Sequence, residues 1–100
     1  SAELSDESLI VLDHFIDFLN TNPGVKFEIR GNTDDVGENI TNERLSQARA
    51  KSVYQYLLNH GIASSRMTYK GYGEALPLVP NISEANRAIN RRTEFYIIEK

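Results

Sequence analysis

Two acidic residues and one arginine hold the clearest chemical potential in this chain. Asp34 and Asp35 sit in the turn-like stretch Gly31-Asn32-Thr33-Asp34-Asp35-Val36-Gly37, and Asn42, Leu45 and Arg49 follow at spacings of three and four. On a helix that spacing places the three on neighbouring positions of one face. Arg49 falls toward the expected apolar stripe of that helix, where a charge needs a partner or a ligand. Three readings stay open for it. It forms an ion pair with Asp34 that ties turn to helix, or it joins Asp34 in reading a ligand that bears both charges, or it faces solvent. Arg91 and Arg92 enter the last apolar run as a pair. Alternation along a strand sends them to opposite faces, so at least one points inward or toward a neighbouring loop.

Other chemistries find less support. A glycosidase pair would need two carboxylates held around a scissile bond with separated pKa values, and Asp34 and Asp35 have no convincing second partner or groove. Asp34, Asp35, Glu38 and Asn39 have the composition of a calcium loop but not its ligand spacing. His14 and His60 are far apart on expected helices and read as surface or boundary residues. No serine stands in a Gly-x-Ser-x-Gly elbow, and Gly71-Tyr72-Gly73 is too short for a dinucleotide fingerprint. No metal, no cofactor and no catalytic activity are expected.

The elements that must position these residues follow from periodicity. Ser5 is placed to cap a helix, with Asp6 and Glu7 in its first turn and Leu4 and Leu9 as a hydrophobic staple. Leu9, Leu12, Ile16 and Leu19 continue it at helical spacing until Asn20 to Gly24, where Pro23 and Gly24 end it. Val25, Phe27 and Ile29 alternate with Lys26, Glu28 and Arg30, which predicts a strand with one apolar and one polar face. Gly31 and Gly37 bracket the polar turn and are expected to serve backbone geometry and close approach. A second helix is predicted from about Thr41 or Asn42 to Asn59, with Leu45, Ala48, Val53, Tyr56 and Leu57 as its inward stripe and Gly61 as its stop. A strand over 66–72, a short helix capped by Ser83 and running to about Ile89, and a strand through Thr93, Phe95 and Ile97 complete the order. This is an α+β chain: two main helices and a short third helix packed on a small mixed sheet.

With 100 residues, 40% hydrophobic and 25% charged, the chain fits one ordinary globular domain. The net charge of -3 argues against non-specific nucleic-acid binding. There is no cysteine, which excludes disulfides and thiolate chemistry. No apolar run reaches the length of a membrane span and no signal peptide is visible. Ser1 opens almost directly onto a helix, so residues 1–100 read as a single domain excised from a larger protein, with a first strand expected to precede it.

These motifs together resemble the OmpA-like C-terminal domain family. The resemblance rests on Gly31-Asn32-Thr33-Asp34, Gly37 and Asn42-Glu43-Arg44-Leu45-Ser46-Gln47-Ala48-Arg49-Ala50. It continues through Gly61, Arg66, Gly71-Tyr72-Gly73, Pro77, Asn81 and Asn86-Arg87-Ala88-Ile89-Asn90-Arg91-Arg92-Thr93-Glu94. It implies non-covalent binding of peptidoglycan on the periplasmic side of the bacterial outer membrane, through the diaminopimelate of the stem peptide. The domain would anchor a porin, lipoprotein or other envelope protein to the cell wall, with envelope proteins as further partners. A structural or protein-interaction domain of the same fold without wall binding is the alternative. By resemblance, Arg49 engages a ligand carboxylate and Asp34 an ammonium. Thr33 and Asn42 are polar supports or contacts, and Leu45 is an apolar wall. Asn32, Asn90, Arg91 and Arg92 are expected to brace the pocket. Two positions depart from the family pattern: Asn32 where histidine is frequent and Asn86 where glycine is frequent. The family's first strand has no counterpart after Ser1, so three main strands are expected rather than four.

Overall fold

The alternating stretch after Gly24 becomes the middle strand of a three-stranded sheet. In the computed structural model, residues 6–37, 39–75, 81, 83–86 and 91–100 are described. Helix α1 (Asp6–Thr21) leads to strand β1 (Lys26–Gly31) and helix α2 (Asn39–Asn59). A single 3-10 turn (Ser64–Arg66) then leads to β2 (Met67–Gly71), and β3 (Thr93–Glu99) closes the order. Residues 84–86 are helical, and the Asn86 amide donates to Ser83 Oγ at 3.1 Å, which is the cap expected there. Asn86 needs no left-handed backbone, since no described residue other than glycine has positive φ. The expected cap at Ser5, its staple partner Leu4, Pro77 and the end of the short helix near Ile89 lie outside the described residues.

The sheet order is β2-β1-β3, with β1 parallel to β2 and antiparallel to β3. Its apolar face is built in register: Ile29 stands beside Tyr69 and Phe95, and Phe27 beside Met67 and Ile97. Leu12, Ile16 and Leu19 of α1 and Ala50, Val53 and Leu57 of α2 complete the core. Phe15 joins α1 to the sheet by stacking on Phe95 at 4.0 Å and meeting Phe27 edge-on at 5.1 Å. The opposite face carries Glu28 and Arg30, as the alternation predicted. There the Arg30 guanidinium lies 3.9 Å from the centre of the Tyr96 ring.

The second helix differs from expectation in two ways. It starts at Asn39, two or three residues early. Its deepest line also runs through Asn42, Ser46, Ala50, Val53 and Leu57, all buried, whereas Leu45, Ala48 and Tyr56 are half-buried. The first turns of this helix therefore bury small and polar side chains, because they rest on glycine backbone. A Cβ on Gly31 would stand 2.1 Å from the Ser46 carbonyl oxygen, and one on Gly71 would stand 2.2 Å from the Gln47 nitrogen. The two glycines are partners in the β1–β2 register, so together they form a bare shelf at the end of the sheet.

Both helices stop where their residues dictate. Gly61, at φ +88°, ends α2, with its amide on Leu58 O at 3.1 Å and that of Ile62 on Leu57 O at 3.0 Å. Arg66 closes the end of α1: its Nη2 donates to Leu19 O at 3.0 Å and Asn22 O at 2.8 Å, and its Nε to Val25 O at 3.0 Å. Among the described residues, no helix is long and apolar enough to cross a membrane.

Candidate functional site

Past Gly31 the chain leaves the sheet but stays tied to both neighbouring strands. The Asn32 amide donates to Arg92 O at 2.8 Å, the Thr33 amide to Gly73 O at 2.8 Å, and the Tyr72 amide returns to Gly31 O at 2.9 Å. Asn32, Thr33 and Asp34 are consequently all buried. The Asn32 side chain spreads its Nδ2 between Arg30 O and Arg92 O, at 3.4 Å each. These two carbonyls fix which end of the amide is the donor and leave the buried Oδ1 without a partner among the described residues. An orphan acceptor of this kind costs about 1–3 kcal/mol.

The peptide of Asp34 is a junction. Its carbonyl accepts from Thr33 Oγ1 at 3.0 Å and from Asn42 Nδ2 on α2 at 3.3 Å. Its carboxylate turns back on its own loop, with Oδ1 accepting the Val36 amide at 3.0 Å. Gly37, at φ +91°, then lets the chain turn into α2. Thr33, Asp34 and Asn42 are thus brought together. Leu45 and Arg49 follow Asn42 on the flank of the helix, both half-buried. Arg49 lies beside the deepest line rather than on it, and it has a partner.

Arg91 supplies a cation to Asp34. Its Nη1 stands 2.6 Å from Asp34 Oδ2 and its Nη2 stands 2.8 Å from Glu84 Oε1. The Glu84 and Asp34 carboxylates together hold the guanidinium pKa above its ordinary value. Arg92 points elsewhere, with its Nε on the Glu94 carboxylate, while its backbone carbonyl receives both Asn32 donors. The two arginines therefore part as alternation required. Asn90 lies outside the described residues.

Ser46 has no part in the expected site yet holds its floor. Fully buried on α2, it donates to Glu43 O at 2.9 Å and accepts the Gly73 amide at 2.9 Å. Gln47 Oε1 takes the Gly71 amide at 2.6 Å. The signal for Ser46 was the pair of glycines: a helix position facing bare backbone needs a short side chain.

The result is a polar end of the sheet where the buried Asp34 carboxylate meets the Arg91 guanidinium and the Asn42 amide side chain holds the Asp34 backbone. A separate cavity of ≈ 450 Å³, lined among others by Phe18, Pro23, Val25 and Ile97, lies at the opposite end of β1.

Residues 1–91 match the model of the OmpA family. The chain is 46% identical over 78 residues to outer membrane porin F of Pseudomonas fluorescens, which covers 78% of this chain and 24% of the porin. It is 36% identical over 89 residues to the peptidoglycan-associated lipoprotein of Pasteurella multocida, covering 89% of this chain and 59% of the lipoprotein. The crystal structure of the peptidoglycan-associated lipoprotein from Burkholderia pseudomallei matches it with a TM-score of 0.90 at 29% identity, over 97% of this chain and 82% of that one. The chain therefore spans 24% of the porin's length and 59% of the Pasteurella lipoprotein's.

Proposed function

The chain belongs to the OmpA family, and from that membership we propose that it binds peptidoglycan non-covalently by holding the diaminopimelate of a stem peptide at Asp34 and Arg49. The observation that carries the reading is the placement of Asp34. Its buried carboxylate sits at the end of the middle strand, and Asn42 of α2 is bonded to the same residue. Asp34 takes the ligand's ammonium and Arg49 a carboxylate of the same residue, through charge-assisted hydrogen bonds. A guanidinium suits that task because its planar fork meets both carboxylate oxygens. Thr33 and Asn42 hold the turn's backbone in place, and Leu45 lies against the ligand's methylene chain.

On this reading residues 1–100 form one binding module of a longer envelope protein. It works on the periplasmic side of the outer membrane, in keeping with relatives named as an outer membrane porin and as peptidoglycan-associated lipoproteins. The module anchors its parent protein to the wall and performs no catalysis. One observation favours a second reading, a structural or protein-interaction domain of the same fold: Asp34 already carries Arg91.

Titration with muropeptides, followed by backbone chemical shifts, separates the two. Wall binding predicts saturable shifts confined to 32–37, the flank of α2 around Leu45 and Arg49, and Arg91. Arg49→Ala should abolish them while leaving the remaining spectrum in place. Stem peptides with lysine in place of diaminopimelate lack one carboxylate and should bind more weakly. Absence of shifts in the unaltered protein, or undiminished binding by Arg49→Ala, would defeat the reading.

A further inference from the structure

Building on the wall-peptide reading, we infer that Arg91 is the resident counter-ion of Asp34 and that the ammonium of an arriving ligand replaces it, so that the site fills by exchanging one cation for another. The Asp34 side chain is only 9% exposed. A carboxylate so placed stays charged at low cost only while a cation compensates it. Arg91 provides one from a segment 57 residues further along the chain.

The contact has the form of a replaceable one. The guanidinium is split between two acids, one nitrogen on Asp34 and one on Glu84. Arg91 gives neither carboxylate the paired hydrogen bonds that make an arginine fork strong. Exposure rises outward along the same line: 9% for the Asp34 side chain, 35% for Arg91 and 71% for Glu84. A displaced Arg91 therefore moves toward water and keeps Glu84 as its partner. Asp34 does not lose its aim in the process, because Oδ1 remains on the Val36 amide while Oδ2 changes partner. An ammonium is compact and offers three donors where Arg91 offers one nitrogen.

Exchange of this kind also selects. A ligand that brings only carboxylates to Arg49 leaves Arg91 in place, whereas one with an ammonium at the right distance leaves Asp34 neutralised throughout. Arg91 thus acts as a competitor that only a dipolar ligand displaces.

The test compares the unaltered protein with Arg91→Ala and Arg91→Gln, using the tripeptide L-alanyl-γ-D-glutamyl-meso-diaminopimelate as probe in calorimetric titrations. Exchange predicts that removal of the competitor tightens binding by roughly three- to tenfold, equivalent to about 0.7–1.4 kcal/mol. Arg91→Gln keeps a hydrogen-bond donor without the charge and covers the case in which the alanine variant does not fold. The guanidinium resonances of Arg91 in the unaltered protein supply a second readout and should shift as the tripeptide saturates it. Unchanged or weaker binding in the folded variants, or guanidinium resonances that do not move at saturation, would overturn the exchange while leaving wall binding intact. Binding by the variants alone would support it. Failure of every protein to bind the tripeptide would defeat the wall-peptide reading and the exchange with it.

Discussion

Gly31→Ala should be among the most damaging single-methyl additions this fold can receive. The added Cβ would stand 2.1 Å from the Ser46 carbonyl oxygen and 2.9 Å from its carbon. Both belong to the backbone of α2, so no rotamer change relieves the clash. Ordinary contact requires the helix to retreat by roughly 1 Å, and interiors packed at crystal-like density have no such slack. Overfilling a packed interior typically costs about 1–3 kcal/mol, and a backbone obstacle puts this case near roughly 3 kcal/mol. For a domain of about 100 residues that lowers the melting temperature by ~12–24 °C. Circular dichroism melts measure the shift, with Gly24→Ala as the control. A Cβ there meets only Lys100 backbone at 3.6 Å, an ordinary contact. That control should melt close to the unaltered protein. A Gly31→Ala variant melting within ~3 °C of the control, less than 1 kcal/mol on this scale, would refute the close-packing argument.

Ser46→Ala strands the buried Gly73 amide and should cost about 1–3 kcal/mol by urea unfolding, with the midpoint moving and the slope unchanged. Arg66→Lys keeps a charge at the end of α1 but cannot span Leu19 O, Asn22 O and Val25 O. It should therefore lose stability by about 1–2 kcal/mol in thermal melts, approaching the loss of Arg66→Ala. Glu28 supplies a pH dependence. Burial acts to raise its pKa, but the hydrogen bonds from Tyr72 and Arg30 outweigh it and hold the carboxyl below its ordinary value. A group depressed by folding stabilises the fold above its unfolded pKa, about 4.3 for glutamate, and that contribution is lost as pH falls through the folded value. Glu28→Gln should therefore flatten the fall of melting temperature below about pH 4.3, and an unaltered acid limb would count against the assignment.

Periodicity located most elements of the fold because their apolar residues follow a simple rule. Val25, Phe27 and Ile29 announced the middle strand, and Gly61 the end of α2. The same rule misplaced the inward line of α2 at its start. Apolar side chains mark a buried face only where there is space to bury them, and over Gly31 and Gly71 there is none. Ser46 is buried there instead, and Asn42 one turn earlier against the Asp34 carbonyl, and a hydrophobic pattern passes over both. The site divides in the same way. Thr33, Asp34 and Asn42 lie within a span of ten residues, and it was the family resemblance that put them at one site. The contact of Arg91 with Asp34 joins residues 57 apart, and alternation at Arg91 and Arg92 could say only that the two would separate.

On the proposed role as a wall tether, the position of β1 between two strands has a mechanical meaning. Tension applied at Asp34 enters the chain at Gly31 and pulls along the axis of the middle strand. Hydrogen bonds to β2 on one side and β3 on the other then share the load in shear, and all must slip together before the strand moves. A turn hung from an edge strand would be peeled away one bond at a time. The arrangement that holds Asp34 in place without a ligand is thus also the one best suited to hold it under force.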